Sequence, residues 1–218
     1  MRNVSMRRAS VFGYGLCLAL GALGTGCMGD GSSGEDEAIN EALPAIVVSV
    51  PAAAQATALP AAQTGVKVQD RSHDNDNPDN TLYALYQVVN TSTTAVPLSS
   101  LTMRYWFTNE SPSDPLEFDC DWAQLNCSNI TGKFVVLSPA TSRANTYLEI
   151  SFRAGAGSVV AGQNSGEIQT RLHHINWSNF NTTETYSFIS DPSFVYKDTQ
   201  TVTLYQNGAL IWGVEPSA

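Results

Sequence analysis

The chain has 218 residues, 43% of them hydrophobic and 14% charged, enough apolar material for one domain with attachments. Its formal net charge of −9 repels phosphate backbones and anionic head groups, which excludes nucleic acid and an electrostatic hold on lipid. Neutral glycans and cations stay compatible with this balance.

At the N-terminus, Arg2, Arg7 and Arg8 precede an apolar run from Val11 to Leu23. The run is short for a membrane span, which needs about 20 apolar residues, and fits an export signal. It ends in Leu23-Gly24-Thr25-Gly26-Cys27, small residues before a cysteine, as in a bacterial lipobox. Such a site makes Cys27 the lipidated terminus of the mature protein and tethers it without a transmembrane helix. Gly24 stands where the lipobox pattern has Leu, so an ordinary cleaved signal with an incidental Cys27 is the alternative. Residues 28–64 open on Gly, Ser and acids and continue rich in Ala and Pro. This composition reads as a flexible linker, with Ile46–Val50 its one apolar run.

From Val66 the pattern changes to short β-branched and aromatic runs between Asn, Asp, Ser, Gly and Pro. The clearest are Leu82–Val89, Leu101–Thr108, Lys133–Leu137, Thr146–Phe152, Glu167–Leu172, Val202–Gln206 and Ala209–Gly213. Residues 65–218 therefore read as an all-β sandwich. Alternation puts Leu101, Met103, Tyr105 and Phe107 on one face, and Thr102, Arg104 and Trp106 on the other. Trp106 and Trp212 are expected in packed interiors. Asn207-Gly208 between the last two runs predicts a tight hairpin. Cys17 leaves with the signal and Cys27 takes lipid, so Cys120 and Cys127 remain as an even pair. In an oxidising compartment they are expected to form a disulfide.

No G-x-S-x-G elbow, P-loop or dinucleotide fingerprint occurs. His173 and His174 are adjacent, so on a strand they point to opposite faces, and a structural or exposed role is expected. His73 sits in an Asp/Asn-rich loop with no evident partner. Glu117, Asp119 and Asp121 supply the paired acids that glycoside hydrolysis needs. One short loop of acids without an evident cleft argues against an enzyme. Trp122, after Asp121, and Trp177, in Asn176-Trp177-Ser178-Asn179, read as aromatics in polar loops. An exposed indole stacks on the apolar face of a sugar ring, worth about 1–3 kcal/mol.

Several ordered segments carry a resemblance: Leu101–Thr108, Cys120–Ala123, Thr146–Phe152, Gly166–Arg171, Asn176–Asn179, Tyr186–Phe188, Val202–Gly208 and Trp212-Gly213. From about Val66 to Pro216 the chain resembles a family 3 carbohydrate-binding module. The resemblance implies a nine-stranded jelly-roll β-sandwich that binds cellulose or a related β-glucan without catalysis. Carried over by position, a flat strip comprises Asp121, Trp122, Arg171 and Trp177, with polar anchors at Asn80 and Gln169. Asp121 and Arg171 are expected to form a planar ion pair between the indoles. The short segment Ala123–Gly132 lacks a further Tyr found in family members that grip crystalline cellulose most fully, so the strip is expected to be shorter. The resemblance also implies structural calcium, with ligands at Thr108, Glu110, Asn181, Glu184 and Thr185; Glu110 and Thr185 replace the family's Asp. A hydrolase in trans is the implied protein partner, and the bacterial surface the implied location. A structural or sensory surface domain, or an accessory module feeding a hydrolase, is the alternative.

Overall fold

Val66 and Val68 alternate with Lys67 and Gln69, and this period of two starts the first strand of the computed structural model, which describes residues 65–217. The signal, the linker and Cys27 lie outside the described residues. The strands are β1 (Val66–Arg71), β2 (Thr81–Asn90), β3 (Val96–Pro97), β4 (Leu101–Phe107), β5 (Leu116–Ala123) and β6 (Ile130–Val136). They continue with β7 (Thr146–Phe152), β8 (Ser158–Val159), β9 (Ile168–His174), β10 (Lys197–Asp198), β11 (Val202–Gln206) and β12 (Ala209–Trp212). Three of these twelve, β3, β8 and β10, have only two residues, which leaves the nine longer strands of a jelly roll.

One sheet has the order β10-β1-β2-β9-β5 and the other β12-β11-β4-β7-β6; β3 pairs with β8 apart from both. Every described pairing is antiparallel. The inner faces meet in one core. Val68, Leu82, Tyr86, Ile168 and Leu172 come from the first sheet; Met103, Tyr105, Phe107, Leu148, Ile150 and Leu204 come from the second. Each such side chain contributes about 1.5–3 kcal/mol by leaving water. Asn207 and Gly208 take φ of 50° and 83°, the left-handed pair that closes β11 onto β12.

Trp212 packs in this core, as expected, and donates Nε1–H to the Thr199 carbonyl. Trp106 is also buried, but on the outer face of the second sheet. There it donates to Thr203 Oγ1 at 2.9 Å and packs against Tyr147. The Arg104 guanidinium covers this group, over the Tyr205 and Tyr147 rings at 4.1 and 4.6 Å.

β5 sits at the edge of the first sheet and is steadied from below by the second. A Cβ on Gly132 of β6 would lie 2.4 Å from the Phe118 ring, so the missing side chain is the space Phe118 of β5 occupies. Cys120 and Cys127 are joined by a disulfide that closes the chain just beyond β5. A short closed loop of this kind adds roughly 2–3 kcal/mol.

The same alternation that turns Val66 and Val68 inward also turns Asp70 inward, where it is 2% exposed. Burial raises its pKa well above the ordinary carboxylate range, against the lowering effect of N–H bonds from Arg71 and Leu85. Between the ordinary range and the raised value, the folded chain holds a proton that the unfolded chain has released. This contribution to stability is therefore present at acid pH and is lost as pH rises through that window. Asp70→Asn, neutral at every pH, is expected to gain on the parent in Tm between acid and neutral pH. Calorimetry across that range checks it; a gap that stays constant would mean Asp70 binds its proton alike in the folded and unfolded chains.

Candidate carbohydrate-binding face

Strict alternation builds the site on β5. Leu116, Phe118 and Cys120 pack against the core, and Glu117, Asp119 and Asp121 face out. Regular alternation would then turn Trp122 inward. A β-bulge prevents this: Cys120 faces Thr170 of β9, Trp122 faces Gln169, and Asp121 has no partner. The extra residue resets the parity. Trp122 emerges beside Asp121, 49% exposed, and Ala123 turns inward at 7%. The expectation that Trp122 and the three acids lie in a loop is thus corrected. They stand on a strand whose outward residues are all acidic or aromatic, and that polarity masked the inward Leu116, Phe118 and Cys120.

On β9, Gln169, Arg171 and His173 share the outer face. Arg171 is directly opposite Asp119 of β5 and Tyr83 of β2. The expected pair with Asp121 is present, Nη1 to Oδ1 at 2.7 Å. Asp119 joins it: its Oδ2 accepts from Nε at 3.1 Å and lies 3.1 Å from Nη2. The guanidinium is therefore held at three nitrogens by two carboxylates, which fixes its plane. Only the Asp121 partner was read from the sequence.

Trp177 follows β9 in a turn closed by its own N–H on the His174 carbonyl at 2.9 Å. Its φ of 58° is strained for a side chain with a Cβ and costs about 1–2 kcal/mol. Two features offset this. Asp114 Oδ2 accepts from Asn176 at 2.9 Å and from Ser178 Oγ at 3.2 Å, bracketing the residue on both sides. The indole lies flat on the His173 ring, with centroids 4.0 Å apart and planes 2° apart. His173 is itself tied to Asp119 Oδ2 at 3.2 Å and to the His174 carbonyl at 2.9 Å. Trp177 remains 50% exposed.

His173 and His174 do point to opposite faces. Both are buried, and His173 is the bed of Trp177, a role without a sequence signal because the stacking partner is set by the turn. His174 reaches Asn109 Oδ1 and Ser178 O beneath the same loop.

Of the two anchors, Gln169 donates to Glu167 Oε1 at 2.7 Å, and Glu167 is paired with Arg71 at 2.6 Å. The Arg71 guanidinium holds the Glu167 carboxyl below its ordinary pKa. Asn80 is exposed at the start of β2, its amide oxygen accepting from Thr81 Oγ1 at 3.0 Å.

The residues named for calcium do converge. Thr108 Oγ1 donates to the Glu184 carbonyl at 2.8 Å, and the Asn181 N–H to Glu110 Oε1 at 3.2 Å. Asn181 Oδ1 caps the turn Thr182–Glu184. Glu110 Oε1, Asn181 Oδ1 and the Glu184 and Thr185 carbonyls accept hydrogen bonds within the chain. Arg143 Nη2 donates to the carbonyls of Thr183 at 3.0 Å and Thr185 at 2.9 Å, bringing a positive charge to the loop. Calcium takes six to eight oxygens, drawn from carboxylates, backbone and amide carbonyls and water. These residues bring two carboxylates, Glu110 and Glu184, together with hydroxyl, amide and backbone oxygens, and among the described residues no group of three or more His, Cys, Asp or Glu could hold a metal by those side chains alone.

A jelly roll with half-exposed indoles and a clamped guanidinium on one sheet face defines a carbohydrate-binding module. Residues 67–213 match the family model described as "Cellulose binding domain", and the chain belongs to that family. It is 44% identical over 150 residues to endoglucanase A of Paenibacillus lautus, covering 68% of this chain and 21% of that protein. It is 40% identical over 149 residues to an uncharacterized protein in the celA 5' region of the same organism, covering 68% of this chain and all of that one. It matches β-mannanase/endoglucanase A of Caldicellulosiruptor saccharolyticus at 39% identity over 158 residues, covering 72% of this chain but only 12% of that enzyme. Among solved structures, biomass-sensing modules from Rsgi-like proteins of Clostridium thermocellum superpose with a TM-score of 0.66 at 31% identity, over 72% of this chain and all of theirs.

Proposed function

We propose that this chain binds cellulose or a related β-glucan, without catalysis, through the strip Trp122, Asp121, Arg171 and Trp177. One observation carries the reading: a guanidinium fixed between Asp119 and Asp121 shares the outer face of one sheet with half-exposed Trp122, and half-exposed Trp177 lies over His173 of that face. A flat face takes a glucan chain without bending it, and aromatic planes match the apolar faces of its rings. Asn80 and Gln169 supply hydrogen bonds at the margins. Glu117, Asp119 and Asp121 are engaged with or adjacent to Arg171 and His173 on an open face rather than set across a cleft, which supports binding over hydrolysis.

Residues 1–64 place this module outside the cell in our reading, by an export signal, a lipid at Cys27 and a linker with reach. Relatives include the cellulosomal-scaffolding protein B of Acetivibrio thermocellus, 39% identical over 154 residues, which supports an extracellular setting. Endoglucanases among the relatives support a hydrolase as the partner working on the same polymer. A sensory role is the second reading, favoured by the likeness to biomass-sensing modules. It uses the same face.

The test is a depletion isotherm of the full chain on microcrystalline cellulose beside the Trp122→Ala/Trp177→Ala variant. Two lost stacks of about 1–2 kcal/mol each lower affinity roughly 100-fold. Because both indoles are half-exposed, circular dichroism of the variant is expected to match the parent. Equal binding by a folded variant would sink the strip.

A further inference from the structure

We propose that His173 is a positioning residue for Trp177 that works as an imidazolium: the face grips its glucan fully while both ring nitrogens carry protons, and loosens once one proton leaves. The inference rests on the function just proposed. Each ring nitrogen of His173 faces an oxygen that only accepts. Nδ1 is 2.9 Å from the His174 carbonyl, and Nε2 is 3.2 Å from Asp119 Oδ2, with Glu117 Oε2 at 4.0 Å. Asp119 is the ion-pair partner of Arg171 and stands as a carboxylate, with no proton to donate. A neutral imidazole has one N–H and one lone pair, so either tautomer sets a lone pair against an oxygen. The imidazolium alone satisfies both contacts. The side chain is 5% exposed, so little water reaches the ring to replace a contact it gives up.

The charged neighbours come from each side. On β5, Glu117 is the direct partner of His173, and Asp119 follows two residues on. On β2, the direct partner is the uncharged Thr81, whose N–H is held by Asp79 Oδ1. On β9 itself, Arg171 shares the face, and His174 turns to the other side. From the connection before β5, Asp114 bonds Asn176 and Ser178 of the turn. Trp177 covers the ring, with centroids 4.0 Å apart and planes 2° apart. A cation beneath an indole is attracted by the negative face of its π-system, and a neutral ring is not. Loss of the proton therefore removes that attraction together with one of the two hydrogen bonds. Trp177, at its strained φ of 58°, has less to hold it level. Asp119 Oδ2 accepts from Arg171 Nε as well as facing His173, so the change also reaches the guanidinium of the strip.

The experiment follows the full chain between about pH 5 and 8, where imidazoles titrate. Nitrogen-15 NMR of the His173 ring reads its protons. Trp177 emission, identified by its loss in Trp177→Phe, reads the stack. Depletion isotherms on microcrystalline cellulose read the grip. As pH rises and the ring passes from two protons to one, affinity is expected to fall roughly three- to tenfold, up to the worth of one stack, and the emission to change with the same midpoint. His173→Phe keeps a flat ring beneath the indole but does not titrate. Whatever its absolute affinity, it is expected to vary less than twofold across the range. A ring that holds a single proton throughout overturns the proposal. So does a parent whose affinity is flat with pH, or a His173→Phe variant that follows the parent's pH dependence. Should His173→Phe fail to fold, the midpoints of ring, emission and affinity in the parent decide: coincidence supports the proposal and separation overturns it. A parent that binds cellulose at no pH fails the strip reading instead, and the ring spectra and Trp177 emission then decide the role of His173 by themselves.

Discussion

Replacing Arg171 with alanine is expected to lower affinity for cellulose roughly 10- to 100-fold, with only a modest loss of stability. The guanidinium is about one-third exposed, ion-paired with both Asp119 and Asp121. Ion pairs this open to water contribute about 1 kcal/mol or less to folding. Their effect on binding is larger because they hold a flat cation level with the indoles. Without it, Asp119 and Asp121 stand near Glu117 on one strand face as unbalanced like charges, and the bulged segment carrying Trp122 loses its cross-strand tie. Arg171→Lys separates charge from shape. An ammonium restores the charge, and with it most of the stability, but it neither spans both carboxylates nor stacks. Cellulose isotherms of the two variants, read beside their Tm values, decide the matter. If lysine binds as well as arginine, the planar guanidinium is no part of the contact.

A second large effect lies beneath the site. Phe180 is fully buried, stacked on His174 at 4.4 Å and edge-on to Phe107 at 6.0 Å. Its backbone exchanges two hydrogen bonds with Asp79, at 2.7 and 3.2 Å. Phe180→Ala opens a cavity costing about 3–5 kcal/mol, a fall in Tm on the order of 10 °C for a domain of this size. The loss also reaches the surface. Phe180 supports His174, whose carbonyl closes the Trp177 turn and holds His173 beneath the indole. Affinity for cellulose, measured well below the lowered Tm, should fall along with stability. Should the folded fraction bind like the parent, Asp114 alone is enough to hold the Trp177 turn.

Much of this protein was legible in one dimension. The periods of two in Leu82–Val89, Thr146–Phe152 and Val202–Gln206 became β2, β7 and β11 with bounds shifted by a residue or none. Asn207-Gly208 made its hairpin because only its own two φ angles were at issue. Asp121 and Arg171 met as the resemblance implied. β5 escaped notice although Leu116, Phe118 and Cys120 alternate cleanly, because acids on the other face imitate a loop.

What the sequence by itself determined is what depends on neighbours along the chain: strand period, turn chemistry, the pairing of the last two cysteines and the class of fold. The tertiary structure alone decided the parity that turns Trp122 outward, since a bulge exists only against the register of β9. It alone laid Trp177 on His173 and His73 on Tyr83, and it set Arg143 against the Thr183 and Thr185 carbonyls. Each is a contact between side chains whose approach is fixed by sheet order and turn geometry. Such contacts leave no periodic trace, because the residues that make them gain their partners only after the two sheets have closed.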